Sequence, residues 1–68
     1  MLRRSVEFAV GQHIRKKSTG GGTWEIMAMR KDQGGVVNIE MFNVKDPNTR
    51  RTLSQYALSD STQFEIVT

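Results

Sequence analysis

Short groups of basic side chains are the residues of this sequence best equipped for chemistry, because ammonium and guanidinium groups bind anions. Ten Lys and Arg residues stand against seven Asp and Glu residues, which gives a net charge of +3 and a pI of about 9.8. The groups are Arg3-Arg4, Arg15-Lys16-Lys17, Arg30-Lys31 and Arg50-Arg51. Clustered basic residues indicate a site for the phosphates of RNA or DNA. The alternative is a solvated surface with a slight excess of positive charge.

Two aromatic residues add a capacity for stacking. Phe42 shares one side of its segment with Glu40, opposite the apolar side, and Tyr56 falls on the side of Ser54. If both lie outside the core, they form a platform flanked by Arg15, Lys17 and Arg50. Such platforms bind single-stranded nucleic acid, where stacking contributes roughly 1–3 kcal/mol per base, or extended peptides. The alternative is that both aromatic rings are partly buried packing residues.

This sequence offers few residues that could carry out catalysis. His13 is the one histidine, and no nearby carboxylate and nucleophile complete a catalytic set, so we interpret it as a surface residue. The glycines at 20–22 are followed by Thr23 and a predicted strand, whereas a phosphate-binding loop needs Lys-Ser/Thr and a helix, so a flexible loop is expected. With no cysteine and one histidine, we predict a protein without metal, cofactor or catalytic residues.

Alternation of apolar and polar residues between closely spaced turn signals predicts an all-β domain spanning residues 1–68. The predicted strands are residues 12–17, 23–31, 36–44, 50–57 and 64–67, with a 3₁₀ turn at 58–62. Glycine-rich or Pro-Asn turns at 18–22, 32–35 and 46–49 separate the first four. Five strands in so short a chain favour a small barrel, because closure protects sheet edges.

The second predicted strand has apolar residues on both sides. Trp24, Ile26 and Ala28 are expected to face the core, which leaves Met27 and Met29 on the opposite side. A domain of this size has a small core, and many such domains gain stability by oligomerisation. We therefore expect a homo-oligomer with Met27 and Met29 in its interface; scattered surface methionine is the alternative.

The absence of cysteine and of a long apolar run bears on location. Extracellular proteins commonly carry disulfides, and a helix that crosses a bilayer needs about 20 apolar residues. We expect a cytoplasmic protein with no membrane partner.

The sequence Phe8-x-Val10-Gly11-x-x-Ile14-x-x-Lys17-Ser18, followed by a glycine-rich loop, resembles the opening of small bacterial SH3-like barrel proteins of the YodC-like kind. The later pattern, Tyr56 and then Phe64-x-Ile66-Val67 after a short turn, is similar to their closing strand. The resemblance implies a five-stranded SH3-like barrel with a 3₁₀ turn before the last strand.

A second, local resemblance concerns residues 11–18, Gly-Gln-His-Ile-Arg-Lys-Lys-Ser, which are similar to the first strand of the plasmid-borne type II dihydrofolate reductases. In that family four SH3-like subunits enclose one pore. The resemblance implies Lys16 near the substrate and Gln55 and Tyr56 as pore-lining residues. The stretch nearest to the family's Val-Gln-Ile-Tyr motif is residues 53–56, Leu-Ser-Gln-Tyr, which differs from it in order and spacing. An NADPH-dependent dihydrofolate reductase is accordingly the alternative function.

The sequence predicts first a small non-enzymatic binding module, with RNA or DNA, a protein partner or a second copy of the chain as its ligand. The predicted nucleic-acid-binding residues are Arg15, Lys16, Lys17, Arg30, Lys31, Phe42, Arg50, Arg51 and Tyr56.

Overall fold

The computed structural model describes residues 8–67 and is built almost entirely of antiparallel strands. Its elements, in chain order, are β1 (His13–Lys16), β2 (Thr23–Lys31), β3 (Val37–Asn43), β4 (Arg50–Ser54), α1 (Gln55–Leu58) and β5 (Phe64–Ile66). The all-β prediction with five strands is therefore confirmed. The predicted bounds of β2 match, and those of β1, β3 and β5 differ by one residue at one or both ends.

The strands form one sheet in the order β4-β3-β2-β1-β5. The first four follow one another as a meander, and β5 returns to pair antiparallel with β1. Within residues 8–67, β4 and β5 do not pair, so the sheet curls without closing. The core-facing side is thereby left open between its two edge strands.

The core lies on one side of the sheet, and we call this side the inner face and the other the outer face. Its buried members are Ile14, Trp24, Ile26, Ile39, Met41 and Leu58, with Phe8, Val37, Leu53 and Phe64 packed against them. Residues paired across antiparallel strands share a face, and Ile26 pairs with Met41 while Ile39 pairs with Leu53. The alternation of apolar residues in β3 therefore reports the buried side, as predicted.

A β-bulge in β2 changes which residues face inward. The register shifts between Ile26 and Ala28, so that Met27 is the additional residue, Ala28 pairs with Glu40, and Met29 pairs with the buried Ile39. The expectation that Ala28 faces the core and Met29 the opposite side is therefore wrong. The bulge brings Met29 rather than Ala28 to the inner face, where Met29 pairs with the buried Ile39 and stays 36% exposed.

The segment between β4 and β5 also differs from the prediction. We expected a strand through residue 57 and a 3₁₀ turn at 58–62, but β4 ends at Ser54 and an α-helical turn, α1, follows. The Ser54 hydroxyl accepts a hydrogen bond from the Ala57 N–H at 3.2 Å and so caps α1. Leu58 then enters the core with 3% exposure. A serine in a position to cap, followed by an apolar residue that must be buried, favours the helical turn over a continued strand.

Within residues 8–67, no helix has the length and apolar character needed to cross a bilayer.

Candidate functional site

Five strand ends meet at one end of the sheet and surround a cleft of about 340 Å³. β1 and β3 end there, while β2, β4 and β5 begin there. We call this cavity the cleft; the residues that line it include Lys16, Gly21, Trp24, Asn43, Arg51 and Phe64. Because the neighbouring strands run in opposite directions, residues distant in sequence converge at this end.

Strand register explains why two cations face the cleft. Lys16 pairs with Phe64 and Arg51 pairs with the buried Met41, so both basic residues lie on the inner face, at the ends of their strands. Among the described residues that line the cleft, Lys16 and Arg51 are the charged ones, and no carboxylate accompanies them. The cleft is consequently electropositive, and an anionic ligand is the one that it would attract.

Trp24 forms part of the apolar wall and is 6% exposed. The guanidinium carbon of Arg51 lies 5.6 Å from the centroid of the Trp24 ring, a cation–π arrangement. The indole Nε1 donates a hydrogen bond to the Gly21 carbonyl at 2.8 Å. The ring is thus fixed at its edge by the glycine loop, and its face helps to position Arg51 in the cleft.

The glycine loop, residues 20–22, is tied to the cleft rather than free. The Lys16 N–H donates to the Gly22 carbonyl at 3.0 Å, and the Gly21 N–H donates to the Ser18 carbonyl at 2.9 Å. A Cβ at Gly21 would lie 2.7 Å from Lys16 Cβ and 2.9 Å from the Lys16 carbonyl oxygen. Gly21 is closely packed against the stem of Lys16, so a side chain at position 21 would force the loop or β1 to shift.

Asn43 connects the cleft to the turn between β3 and β4. Its Oδ1 accepts hydrogen bonds from the N–H groups of Lys45, at 2.9 Å, and Asp46, at 3.1 Å. A Cβ at Gly22 would lie 3.2 Å from Asn43 Nδ2, so the amide nitrogen faces the glycine loop. The amide nitrogen therefore stands between the loop and the turn, where it could donate to a ligand.

The outer face carries the second set of predicted residues, and there positive charge is balanced. Arg15 pairs across strands with Glu65, and the two side chains form an ion pair. His13 Nε2 lies 3.0 Å from Glu25 Oε1, and both side chains are about one-third exposed. Charged residues of the outer face are Arg15, Arg30 and Arg50 together with Glu25, Glu40 and Glu65.

The predicted aromatic platform is not assembled. Phe42 does lie on the outer face, opposite Glu25 on one side and Arg50 on the other. Tyr56, which was placed in a strand, lies in α1 and is 66% exposed. α1 follows the last residue of β4, which pairs with the start of β3, whereas Phe42 lies near the end of β3. The two rings therefore lie at opposite ends of the β3–β4 pair, roughly 13 Å apart along β3.

The remaining predicted cations are dispersed. Lys17 donates from Nζ to the Ser61 carbonyl at 2.6 Å, beside the loop that precedes β5. Arg30 and Lys31 end β2, roughly 20 Å along the strand from the cleft. Of the seven basic residues proposed from the sequence, Lys16 and Arg51 are brought together in the cleft.

The structure also places the residues of the predicted oligomer interface and of the reductase hypothesis. Met27 occupies the bulge, whereas Met29 is on the inner face and 36% exposed, so the two methionines do not lie side by side on one face. Gln55 and Tyr56 lie in α1, which follows the end of β4. The cleft and Lys16 lie at the other end of β4. In the part of the chain that the structure describes, no three His, Cys, Asp or Glu side chains gather into a group suited to a metal ion.

Sequence reasoning did not identify Trp24, Asn43 and Gly21 as site residues. One signal was available: Lys16, Asn43 and Arg51 are polar residues at inward-facing positions near strand ends, where a core residue would be apolar. A polar residue at an inward-facing position indicates either that the strand is ending or that the residue belongs to a binding site.

Comparison with protein-family models, curated proteins and solved structures finds no significant match to this chain. Its class therefore rests on its own architecture, a small antiparallel sheet with an electropositive cleft at one end.

Proposed function

We propose that this chain is a non-enzymatic binding module and that its cleft binds phosphate groups of nucleic acid. The observation that carries the proposal is the pairing of Lys16 and Arg51 in a cleft whose described lining includes no carboxylate. An ammonium and a guanidinium group suit the two elements of phosphate recognition, a point charge and a planar fork of donors. The half-buried ring of Phe64 beside them would accommodate part of a base or sugar.

The outer face is a weaker candidate for the same ligand. Its three arginines are interspersed with three glutamates, and one arginine already pairs with Glu65. A polyanion laid across this surface would meet as many negative as positive side chains. The cleft therefore supports nucleic-acid binding better than the outer-face platform expected from the sequence.

A fluorescence-anisotropy titration with labelled oligonucleotides, carried out at two salt concentrations, tests the proposal. The double variant Lys16→Gln/Arg51→Gln removes both cleft cations, and Arg30→Gln/Lys31→Gln removes two cations from the opposite end of β2 as a matched control. On single strands each phosphate contact contributes about 0.7 to the slope of log K against log salt, so the cleft variant loses about 1.4.

Two outcomes would refute the proposal. The first is a wild-type protein that binds no oligonucleotide at low salt, and the second is an equal loss of affinity in the two double variants. Equal losses would mean that net charge, rather than the cleft, governs binding.

Self-association is our second proposal, and two features favour it. Within residues 8–67, β4 and β5 each have one edge without a partner strand, and β5 ends at Ile66, 42% exposed, followed by Val67, 52% exposed. Unpaired edges and exposed apolar side chains promote contact between copies. Light scattering over a concentration series tests this, and a constant monomer mass excludes it. The proposed Met27 and Met29 interface is tested by Met27→Gln and Met29→Gln in the same assay.

The SH3-like resemblance remains a proposal about ancestry. It is supported by the return of β5 to β1 and by the short helical turn that precedes β5.

A further inference from the structure

A second groove adjoins the cleft on the far side of the glycine loop. It has a volume of about 520 Å³, and we call it the side groove; its lining residues are Gly20, Gly22, Thr23, Asn43, Val44 and Lys45. Gly20 and Asn43 also line the cleft, so the two cavities share a boundary. Lys45 is the charged residue among the described residues of the side groove. Cleft and side groove are adjacent, and their described lining residues together include three cations and no carboxylate.

We infer, on the basis of the proposed function, that one single strand of nucleic acid runs from the cleft across the glycine loop into the side groove, where Lys45 contacts a further phosphate. The ligand is thus a single strand whose phosphates occupy both the cleft and the side groove.

The position of Lys45 argues for a ligand longer than one phosphate group. Arg51 pairs with Met41, and Lys45 follows Met41 by four residues, so the two cations are anchored up to about 13 Å apart along the chain. The backbone of Lys45 is fixed beside the side groove, because its N–H donates to Asn43 Oδ1 at 2.9 Å. Because Lys45 lines the side groove while Lys16 and Arg51 line the cleft, consecutive phosphates of one strand could occupy the two cavities together.

The surface between the two cavities leaves room for a backbone. Gly20 and Gly22 have φ values of +75° and +73°, which favour glycine, so the rim carries no side chains at these two positions. A Cβ at Gly20 would meet no heavy atom within 4 Å, which shows that space is open above it. A nucleic-acid strand can therefore approach the loop closely while it passes from one cavity to the other.

The recessed cleft selects single strands over duplexes. Lys16 and Arg51 lie on the inner face beside Trp24, which is 6% exposed, rather than on a projecting surface. In a duplex the bases are paired and stacked, so the backbone cannot bend one nucleotide into a recess without disrupting pairs. An unpaired strand enters without that cost.

The test compares ligands of increasing length against two single variants. Oligo-dT and oligo-U of one to ten nucleotides, and a ten-base-pair duplex, are titrated by anisotropy or competition with wild type, Lys45→Gln and the control Lys31→Gln. Lys31 is likewise an exposed lysine, but it ends β2 away from both cavities. Urea unfolding of each variant confirms that the fold is retained.

We expect wild-type affinity to rise with length over the first few nucleotides and to exceed that for the duplex. Lys45→Gln should remove this gain and reduce the salt slope for the longer ligands by about 0.7, while mononucleotide binding stays unchanged. Lys31→Gln should match wild type. The oligo-dT and oligo-U arms distinguish DNA from RNA.

The measurements distinguish failure of phosphate binding in the cleft from failure of the path over the glycine loop. If wild type binds no oligonucleotide, both are refuted. If Lys16→Gln/Arg51→Gln abolishes binding while Lys45→Gln behaves as Lys31→Gln at every length, the cleft binds phosphate but the path over the loop is wrong. Duplex binding as tight as single-strand binding would also overturn the path.

Discussion

Replacement of Gly21 by alanine is the most direct test of how the cleft is built. The new Cβ would lie 2.7 Å and 2.8 Å from Lys16 Cβ and Cγ, and 2.9 Å from the Lys16 carbonyl oxygen. A rotamer change could move only the Cγ atom, because Cβ and the carbonyl are fixed by β1. Either the glycine loop or the end of β1 must therefore shift, which strains the hydrogen bond from the Lys16 N–H to the Gly22 carbonyl.

The size of the effect follows from two opposing terms. Overpacking of this kind destabilises a protein by about 1–3 kcal/mol, whereas the reduced freedom of alanine in the unfolded chain returns about 0.4–1 kcal/mol. We expect a net loss of about 1–2 kcal/mol. A 68-residue domain has a free energy of unfolding of roughly 3–10 kcal/mol, so this loss is a large fraction of the total.

Urea unfolding followed by the fluorescence of Trp24, the one tryptophan, measures this loss. With a slope of about 1 kcal/mol per molar urea, the midpoint should fall by about 1–2 M. Gly34→Ala is the matched control, since its Cβ would meet only Asp32 Oδ1, at 3.4 Å, and its φ lies outside the left-handed region. This control should be neutral or slightly stabilising.

Equal midpoints for Gly21→Ala and Gly34→Ala would refute the close packing of the loop on Lys16. Oligonucleotide affinity supplies a second readout. A displaced Lys16 should weaken binding by Gly21→Ala even under conditions where the variant is fully folded, while Gly34→Ala should bind as wild type does.

Three further predictions concern single contacts. Arg51→Ala removes the cation over the Trp24 ring and should lower the free energy of unfolding by about 0.5–1 kcal/mol in urea titrations, whereas Arg50→Ala should not. Ser54→Ala removes the cap of α1 and should destabilise the fold by about 1 kcal/mol in the same assay. Hydrogen bonds from the Thr62 hydroxyl and N–H hold the pKa of Asp60 below its ordinary value, so its stabilising effect is present above the unfolded-state pKa and is lost as the pH falls through the lower folded pKa. An NMR titration should show this pKa rising in Thr62→Ala, and an unchanged value would contradict the assignment.

The strands were predictable because their signals are local. Turn residues bound β2 at both ends, and the alternation of Ile39 and Met41 with polar neighbours identifies the buried side of β3. The end of β4 was not predictable by the same means, because Thr52 to Tyr56 continues a pattern compatible with a strand. The cap from Ser54 and the burial of Leu58 decide the matter, and burial depends on the rest of the fold.

The cleft could be predicted only in part. Lys16 and Arg51 were among the proposed basic residues, but nothing in their spacing indicates that they meet, since their convergence depends on the pairing of β1 with β5 and of β3 with β4. Arg15 and Arg50 adjoin them in sequence yet face the opposite side, because neighbouring strand residues alternate. A run of basic residues thus contributes roughly every second member to a given face.

The bulge at Met27 divides β2 into two halves of opposite phase. Odd-numbered residues point outward before it and inward after it, as Glu25 and Met29 illustrate. Loss of Met27 alone would remove the bulge and leave one regular alternation, in which Ala28 still pairs with Glu40 and Met29 still pairs with Ile39. A relative without the bulge would therefore align with a one-residue gap at position 27, and the residues on either side of that gap would keep the faces that they have here.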